Sequence, residues 1–273
     1  MHKILNSYLK NYTRDSDGIY IADFEIVKQT TEYKLRKKVA LSNYKNYFRE
    51  ISKYHSIPVM INEVSFFLKK LKKNSIVFDV GCGWCWHWKH ISLLRPDITI
   101  FAMDFVKENF LHAKNILSKD DLNQVIFVND DIHNVKLPSN IFDAVWTVQS
   151  FQHIPKLQKA LKEVYRVMKK NAEIYYYTLN NSIFVKLKNI FNTNKKINNY
   201  YYLERDNKYS FKNIKKIFKN QIQIKYSEIF FHPEIKFFFG KKKSLFGKLD
   251  SCLTGNSFLK SYFGRQILFI TKK

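Results

Sequence analysis

The stretch V-F-D-V-G-C-G-W-C, Val77 to Cys85, decides the fold of this 273-residue chain. Val77, Phe78 and Val80 are strand formers in an apolar run, and Gly81 and Gly83 then allow a tight turn in which a ligand can lie against bare backbone. A strand, a turn and a helix start in that order form a common cradle for nucleotide-like ligands, although glycine pairs also serve ordinary turns. Asp79 narrows the choice. A dinucleotide fingerprint G-x-G-x-x-G would need a third glycine at position 86, where the chain has Trp86, and a pyrophosphate needs unobstructed N–H groups at the helix start. A carboxylate two residues ahead of the first glycine repels a diphosphate and suits a ligand with an ammonium or sulfonium charge.

With Asp79, Gly81 and Gly83 in register, this stretch resembles motif I, D/E-x-G-x-G-x-G, of the class I S-adenosylmethionine-dependent methyltransferases, with Cys85 in place of the third glycine. The resemblance continues through five strand patterns. Ile98 to Ala102 reads as the second strand, and the resemblance implies that Asp104, just after it, binds both ribose hydroxyls with Phe105 beside it. A nicotinamide enzyme also wants an acid there. Val125 to Asn129 reads as the third strand; Asp131 and Ile132 align with the segment that frames the adenine, with Asp130 as the shifted alternative. Phe142 to Val148 is the fourth strand. It leads into Gln149, Ser150, Phe151, Gln152 and His153, where the family has a loop before the next helix. Gln149 is carried over as a cofactor contact and His153 as the candidate catalytic base, since its ordinary pKa lies near neutrality; capping the helix is its competing role. Leu157 to Met168 has helical spacing, and E-V-Y-R-V-M-K-K resembles the family's E-x-x-R-V-L-K-P-G-G, with Lys170-Asn171-Ala172 replacing the P-G-G turn. Ala172 to Leu179 reads as the fifth strand.

The fold implied is α/β: a Rossmann-like, seven-stranded sheet of order 3-2-1-4-5-7-6 with helices on both faces. It is expected over residues 73–273, with insertions near 182–209 and 232–264. Gln221 to Phe231 and Gln266 to Thr271 read as the last two strands, and Ser210 as the cap of a helix running to Asn220. Residues 1–72, with helical patterns at Tyr44 to Tyr54 and Pro58 to Leu71, are expected to form an N-terminal helical cap. An apolar content of 45% supports one substantial core. No apolar run is long enough to span a membrane and the first twenty residues lack a secretion signal, so a cytoplasmic location is expected, with peripheral contact at the inner membrane face as an option. Three cysteines give no disulfide framework.

The formal net charge of +24 comes from 40 lysines and 7 arginines against 23 acids. Scattered lysine reads first as a solvated surface of an AT-rich genome's protein, because phosphate recognition recruits arginine forks and a concentrated patch. Cys82-Gly83-Trp84-Cys85 is also a C-x-x-C, which raises a thioredoxin-like dithiol as a rival and, with His87 and His90, a zinc site; tight-turn packing is the plainer reading and no metal is expected. Of Trp84, Trp86 and Trp88, two are expected to pack and one to lie near a sulfonium. Phe237, Phe238 and Phe239 beside Lys241 to Lys243 suit a substrate lid, an interfacial segment or ordinary core. The resemblance implies methyl transfer to an oxygen, less readily nitrogen or carbon, of a small molecule, glycan precursor or lipid-linked metabolite. An RNA methyltransferase is the alternative, although the chain has no separate RNA-binding module and no N/D-P-P-Y/F segment. A non-catalytic binding subunit is the other alternative.

Overall fold

In the computed structural model, residues 7–28, 30–43, 57–148, 150–177, 222–226, 258–259 and 266–272 are described. Five strands form the parallel heart of the sheet: β3 (Ile76–Val80), β4 (Thr99–Asp104), β5 (Val125–Asn129), β6 (Phe142–Val148) and β7 (Met168–Tyr177). Their near-continuous apolar runs suit a parallel sheet covered on both faces. Alternate residues part to opposite sides. Phe78, Val80, Phe101, Met103 and Val145 enter one core, and Val77, Ile100, Ala102, Ala144 and Trp146 the other.

Helices close each side. The helix α4 (Leu157–Val167) buries Leu157, Ala160, Leu161, Val164 and Val167 on the Phe78 side, an i, i+3, i+4 stripe. On the other side α2 (Ile57–Lys70) contributes Val64, Phe67 and Leu68, and α3 (Glu108–Ile116) contributes Phe110, Ala113 and Ile116. Ahead of them α1 (Thr31–Ala40) starts where the Thr30 side chain accepts the Tyr33 N–H. Among the described residues no helix is long and apolar enough to cross a membrane.

The strands β8 (Ile222–Tyr226) and β9 (Gln266–Thr271) pair antiparallel at one edge, and the seven strands from β3 to β9 lie in the expected relative order. The described sheet nevertheless has nine strands, ordered β1-β2-β5-β4-β3-β6-β7-β9-β8, which corrects the count of seven. The extra pair, β1 (Thr13–Arg14) and β2 (Tyr20–Ile21), comes from the stretch assigned to a helical cap. Gly18 at φ 77° turns the chain back, and Tyr20 and Ile21 then pair with Val128 and Asn129 of β5.

Two local differences have similar causes. A 3₁₀ turn (Trp86–Trp88) and a four-residue helix (Ile91–Leu94) stand where a helix start was expected after motif I: His90 sits at φ 75°, and Arg95 precedes a proline. In place of P-G-G, Asn171 takes the left-handed conformation at φ 65°. The expectations for Tyr44 to Tyr54, Gln149, Ser182 to Tyr209, Ser210 to Asn220 and Phe237 to Phe239 lie outside the described residues.

Candidate active site

The site is built at the carboxyl ends of β3, β4, β5 and β6. Gly81, Gly83 and Cys85 all have left-handed backbone, at φ 70°, 53° and 54°. Cys85 therefore adopts a conformation that favours glycine, at a cost of about 1–2 kcal/mol for a residue with a Cβ. The N–H groups of Gly81 and Cys82 both donate to the carbonyl of Met103, at 2.9 and 3.0 Å, which fastens the turn to β4. The two glycines answer different needs. A Cβ on Gly81 would stand 2.5 Å from both Cβ and Oγ of Ser150, whose hydroxyl donates to the Gly81 carbonyl at 2.8 Å. A Cβ on Gly83 would meet nothing within 4 Å, so the turn is open there.

Asp104 is 4% exposed; its Oδ2 accepts the Gly83 N–H and its Oδ1 the Val106 N–H, each at 2.9 Å. Burial pushes its carboxyl up, and those two N–H groups oppose the shift. The Asn109 side chain also bonds this carboxylate, and of the roughly four acceptor sites of the group part remains for a ligand hydroxyl. Asp79, 1% exposed, accepts the Trp88 indole N–H on Oδ2 at 2.7 Å. Burial raises its carboxyl to about 8 against the pull of that bond, and the nearby Asp104 adds to the rise.

The paired acids after β5 divide their work. Asp130 accepts the Tyr12 hydroxyl and the Lys136 N–H on Oδ2 and the Asp131 N–H on Oδ1, so it ties the N-terminal segment to the sheet. Asp131 accepts the backbone N–H of His133 at 3.0 Å and its Nδ1 at 2.6 Å. Because the other ring nitrogen of His133 faces the Pro155 carbonyl, both nitrogens meet acceptors, and that pattern requires the imidazolium. Burial pulls the His133 pKa down, but the Asp131 carboxylate and the Pro155 carbonyl outweigh it and the net shift is upward. Burial likewise raises Asp131 while the His133 contacts hold it below the usual carboxylate range. Ile132 is buried in the core beside them.

His153 ends a 3₁₀ turn (Phe151–His153) in the loop after β6. The Arg36 Nη2 of α1 lies 2.8 Å from its Nδ1 and 3.3 Å from its Nε2, while Glu32 holds Arg36 Nε at 2.6 Å and comes within 3.7 Å of His153. Burial and the Arg36 charge together push the His153 pKa down to about 3, so the ring is neutral and a weak proton acceptor while Arg36 is there. The Arg36 charge also reaches Asp104.

A family model described as a methyltransferase domain matches residues 78–176. The chain is 33% identical over 106 residues to the malonyl-[acyl-carrier protein] O-methyltransferase of Buchnera aphidicola, covering 39% of this chain and 40% of that protein. It is 32% identical over 108 residues to a sterol 24-C-methyltransferase of Neurospora crassa, covering 39% and 28%. The match thus spans less than half the length of these relatives. A crystal structure of a candidate S-adenosylmethionine-dependent methyltransferase from Methanococcus maripaludis superposes with a TM-score of 0.51 at 18% identity, covering 87% of this chain and 94% of that one, a likeness of fold. Residues 78–176 thus carry a methyltransferase domain with the fold of the class I S-adenosylmethionine-dependent enzymes.

The residues of the methyltransferase domain fit the family's cofactor. The turn is open at Gly83, and Asp104 offers its remaining accepting capacity beside that opening. Of the residues singled out in the sequence, Asp79, Gly81, Gly83, Asp104 and Phe105 meet at the ends of β3 and β4, and Asp131 is joined to the His153 loop through His133 and Pro155. Trp84 and Trp88 are buried and hydrogen-bonded, Trp84 to Asn109 at 3.0 Å and Trp88 to Asp79; Trp86 is half-buried with Lys89 over its ring. Cys82 and Cys85 are free and buried, and burial raises both thiols, the opposite of what a reactive thiolate requires. Among the described residues no group of three or more His, Cys, Asp or Glu is arranged to hold a metal ion.

Three residues of the methyltransferase domain's surroundings were not singled out in the sequence: Glu32, Arg36 and His133. Glu32 and Arg36 do carry a local signal, an i, i+4 ion pair in the helix behind the Thr30 cap. What it hides is the third partner, 117 positions away.

Proposed function

We propose that this protein transfers a methyl group from S-adenosylmethionine to an oxygen of a small or lipid-linked acceptor. The observation that carries the cofactor reading is the open side of Gly83 next to an Asp104 carboxylate that still has accepting capacity. Support for a small or carrier-linked acceptor comes from the relatives, whose names specify a malonyl group on a carrier protein and a sterol; the oxygen is supported by the first, an O-methyltransferase, while the second is a C-methyltransferase. When bound, the cofactor supplies an electrophilic methyl on a sulfonium centre.

The chain's own residues position the reactants and keep water away. The Gly81 to Cys85 turn and Asp104 fix the donor, and α1 lies alongside, with Tyr33 edge-on to Phe105 at 5.8 Å and Lys37 paired with Glu108 at 2.7 Å. Alignment of nucleophile and methyl in a water-poor site supplies most of the catalysis in this reading. His153 stands as the candidate base, with a strength set by burial and by Arg36. Calorimetry with S-adenosylmethionine and with NAD tests the proposal: micromolar binding of the first without comparable binding of the second is expected. Asp104→Ala should weaken binding by about 1–3 kcal/mol, the scale for removing a partner of buried polar groups. Unchanged affinity in that variant refutes the ribose assignment.

A further inference from the structure

Trp88 follows the glycine turn by several residues, and packing alone would explain a fully buried indole there. Its ring lies 6.4 Å from Phe67 and 5.9 Å from Trp146, inside the core under the sheet. Packing does not explain the direction of its one polar atom. Trp88 Nε1 donates to Asp79 Oδ2 at 2.7 Å, a bond that strengthens when the carboxyl ionises, and both groups are inaccessible to water. A buried carboxylate is costly unless it is paired, and no basic side chain figures among the groups that act on this one. The groups facing Asp79 among the described residues are the Asp104 carboxylate on β4, the Cys82 and Cys85 thiols of the turn, and the Trp88 indole as donor.

An acid surrounded in this way keeps its proton until a positive charge arrives. On the reading that the site takes S-adenosylmethionine, we propose that Trp88 is a positioning residue that holds Asp79 ready to ionise, and that binding of the cationic cofactor expels the Asp79 proton to solvent. The balance is simple: neutral Asp79 carboxyl plus cation gives carboxylate with bound cation plus one solvated proton. No covalent bond other than O–H breaks. Because burial keeps the free carboxyl protonated up to about pH 8, proton release accompanies binding at neutral pH. The indole bond favours the charged form, so removing it makes ionisation harder.

The test is calorimetry of S-adenosylmethionine binding from pH 5.5 to 9 in buffers of different ionisation enthalpy, on the parent, Trp88→Phe and Asp79→Asn. In the parent, binding should tighten by about tenfold per pH unit below the carboxyl's pKa, with about one proton released, and level off above it. Trp88→Phe keeps an aromatic ring and should shift that profile to higher pH. Asp79→Asn should bind more weakly, with no proton release at all. A second readout needs no cofactor: in the free protein the Trp88 indole N–H resonance should titrate with Asp79, and that titration should vanish in Asp79→Asn, which decides the matter if Trp88→Phe does not fold. A parent that binds the cofactor without proton release, a Trp88→Phe profile identical to the parent's, or an indole resonance that does not titrate overturns the role given to Trp88 and Asp79. A parent that binds no cofactor overturns the methyl-donor reading instead.

Discussion

Gly81 should tolerate alanine when Ser150 is glycine and resist it otherwise. Gly81→Ala alone carries two penalties. Its φ of 70° lies in the left-handed region, where a Cβ costs about 1–2 kcal/mol. The new Cβ would also overlap Ser150 Cβ and Oγ at 2.5 Å, and forcing such an overpacked contact apart costs typically 1–3 kcal/mol. The sum is about 2–5 kcal/mol. Ser150→Gly alone loses the hydroxyl bond to the Gly81 carbonyl, about 1 kcal/mol, and frees the loop backbone for about 0.5–1 kcal/mol more. In the double variant the overlap is gone, because the next Ser150 atom, Cα, is 3.8 Å away, an ordinary contact. The double variant should therefore be more stable than additivity predicts by about 1–3 kcal/mol. Ser150→Ala is the control: it removes the Oγ overlap but keeps the Cβ at 2.5 Å, and should rescue less than glycine does. Urea unfolding of the set, with cofactor affinity measured on each, reads the cycle. Additivity within about 0.5 kcal/mol, or equal rescue by alanine and glycine, would refute the claim that Gly81 is glycine because of Ser150.

Arg36→Met should raise the His153 pKa above about 3, seen by NMR titration of the ring, with burial, the larger cause, still holding it below its ordinary value; a pKa unchanged from the parent's would show that burial alone holds it down. The same variant should move the acid limb of the pH–rate profile if His153 is the base. The bridge from Asp131 through His133 to Pro155 should make its full contribution to stability between about pH 4 and pH 6.5. Since His133 is raised and Asp131 lowered in the fold, that contribution is lost as pH rises through the first and as it falls through the second. The stability gap between parent and His133→Gln should shrink above neutrality; a gap constant from pH 6 to 9 counts against a charged His133.

Residues that announce themselves in sequence are those whose job is local. Strands β5, β6 and β9 begin and end where their apolar runs do, and Gly81 and Gly83 mark a turn that needs positive φ. Two-residue strands have no period to detect, so β1 and β2 were invisible: Tyr20 and Ile21 are in the sheet because β5 offers an edge. The short Trp86 to Leu94 segment followed from left-handed His90, a conformation imposed by context on a residue that usually continues a helix. His133 and Arg36 owe their chemistry to partners on distant loops, and residue type says that a charge exists without saying where it is neutralised.

The nine-stranded sheet also changes what the N-terminal segment is for. Tyr12 bonds Asp130, Asp15 pairs with Lys107 at 2.5 Å, and Lys114 reaches the Asp17 carbonyl, so the hairpin is stitched to the loops after β4 and β5. From that anchored hairpin the chain leads to α1, which is itself tied down by the Lys37–Glu108 pair and by the Ala40 carbonyl against His112. A helix held along its length presents Arg36 and Glu32 to His153 in one position, whereas a detachable cap would present them in many. The same contacts that complete the sheet edge therefore set the charge beside the candidate base, and a change at Tyr12 or Asp15, remote from the glycine turn, should be felt in the titration of His153.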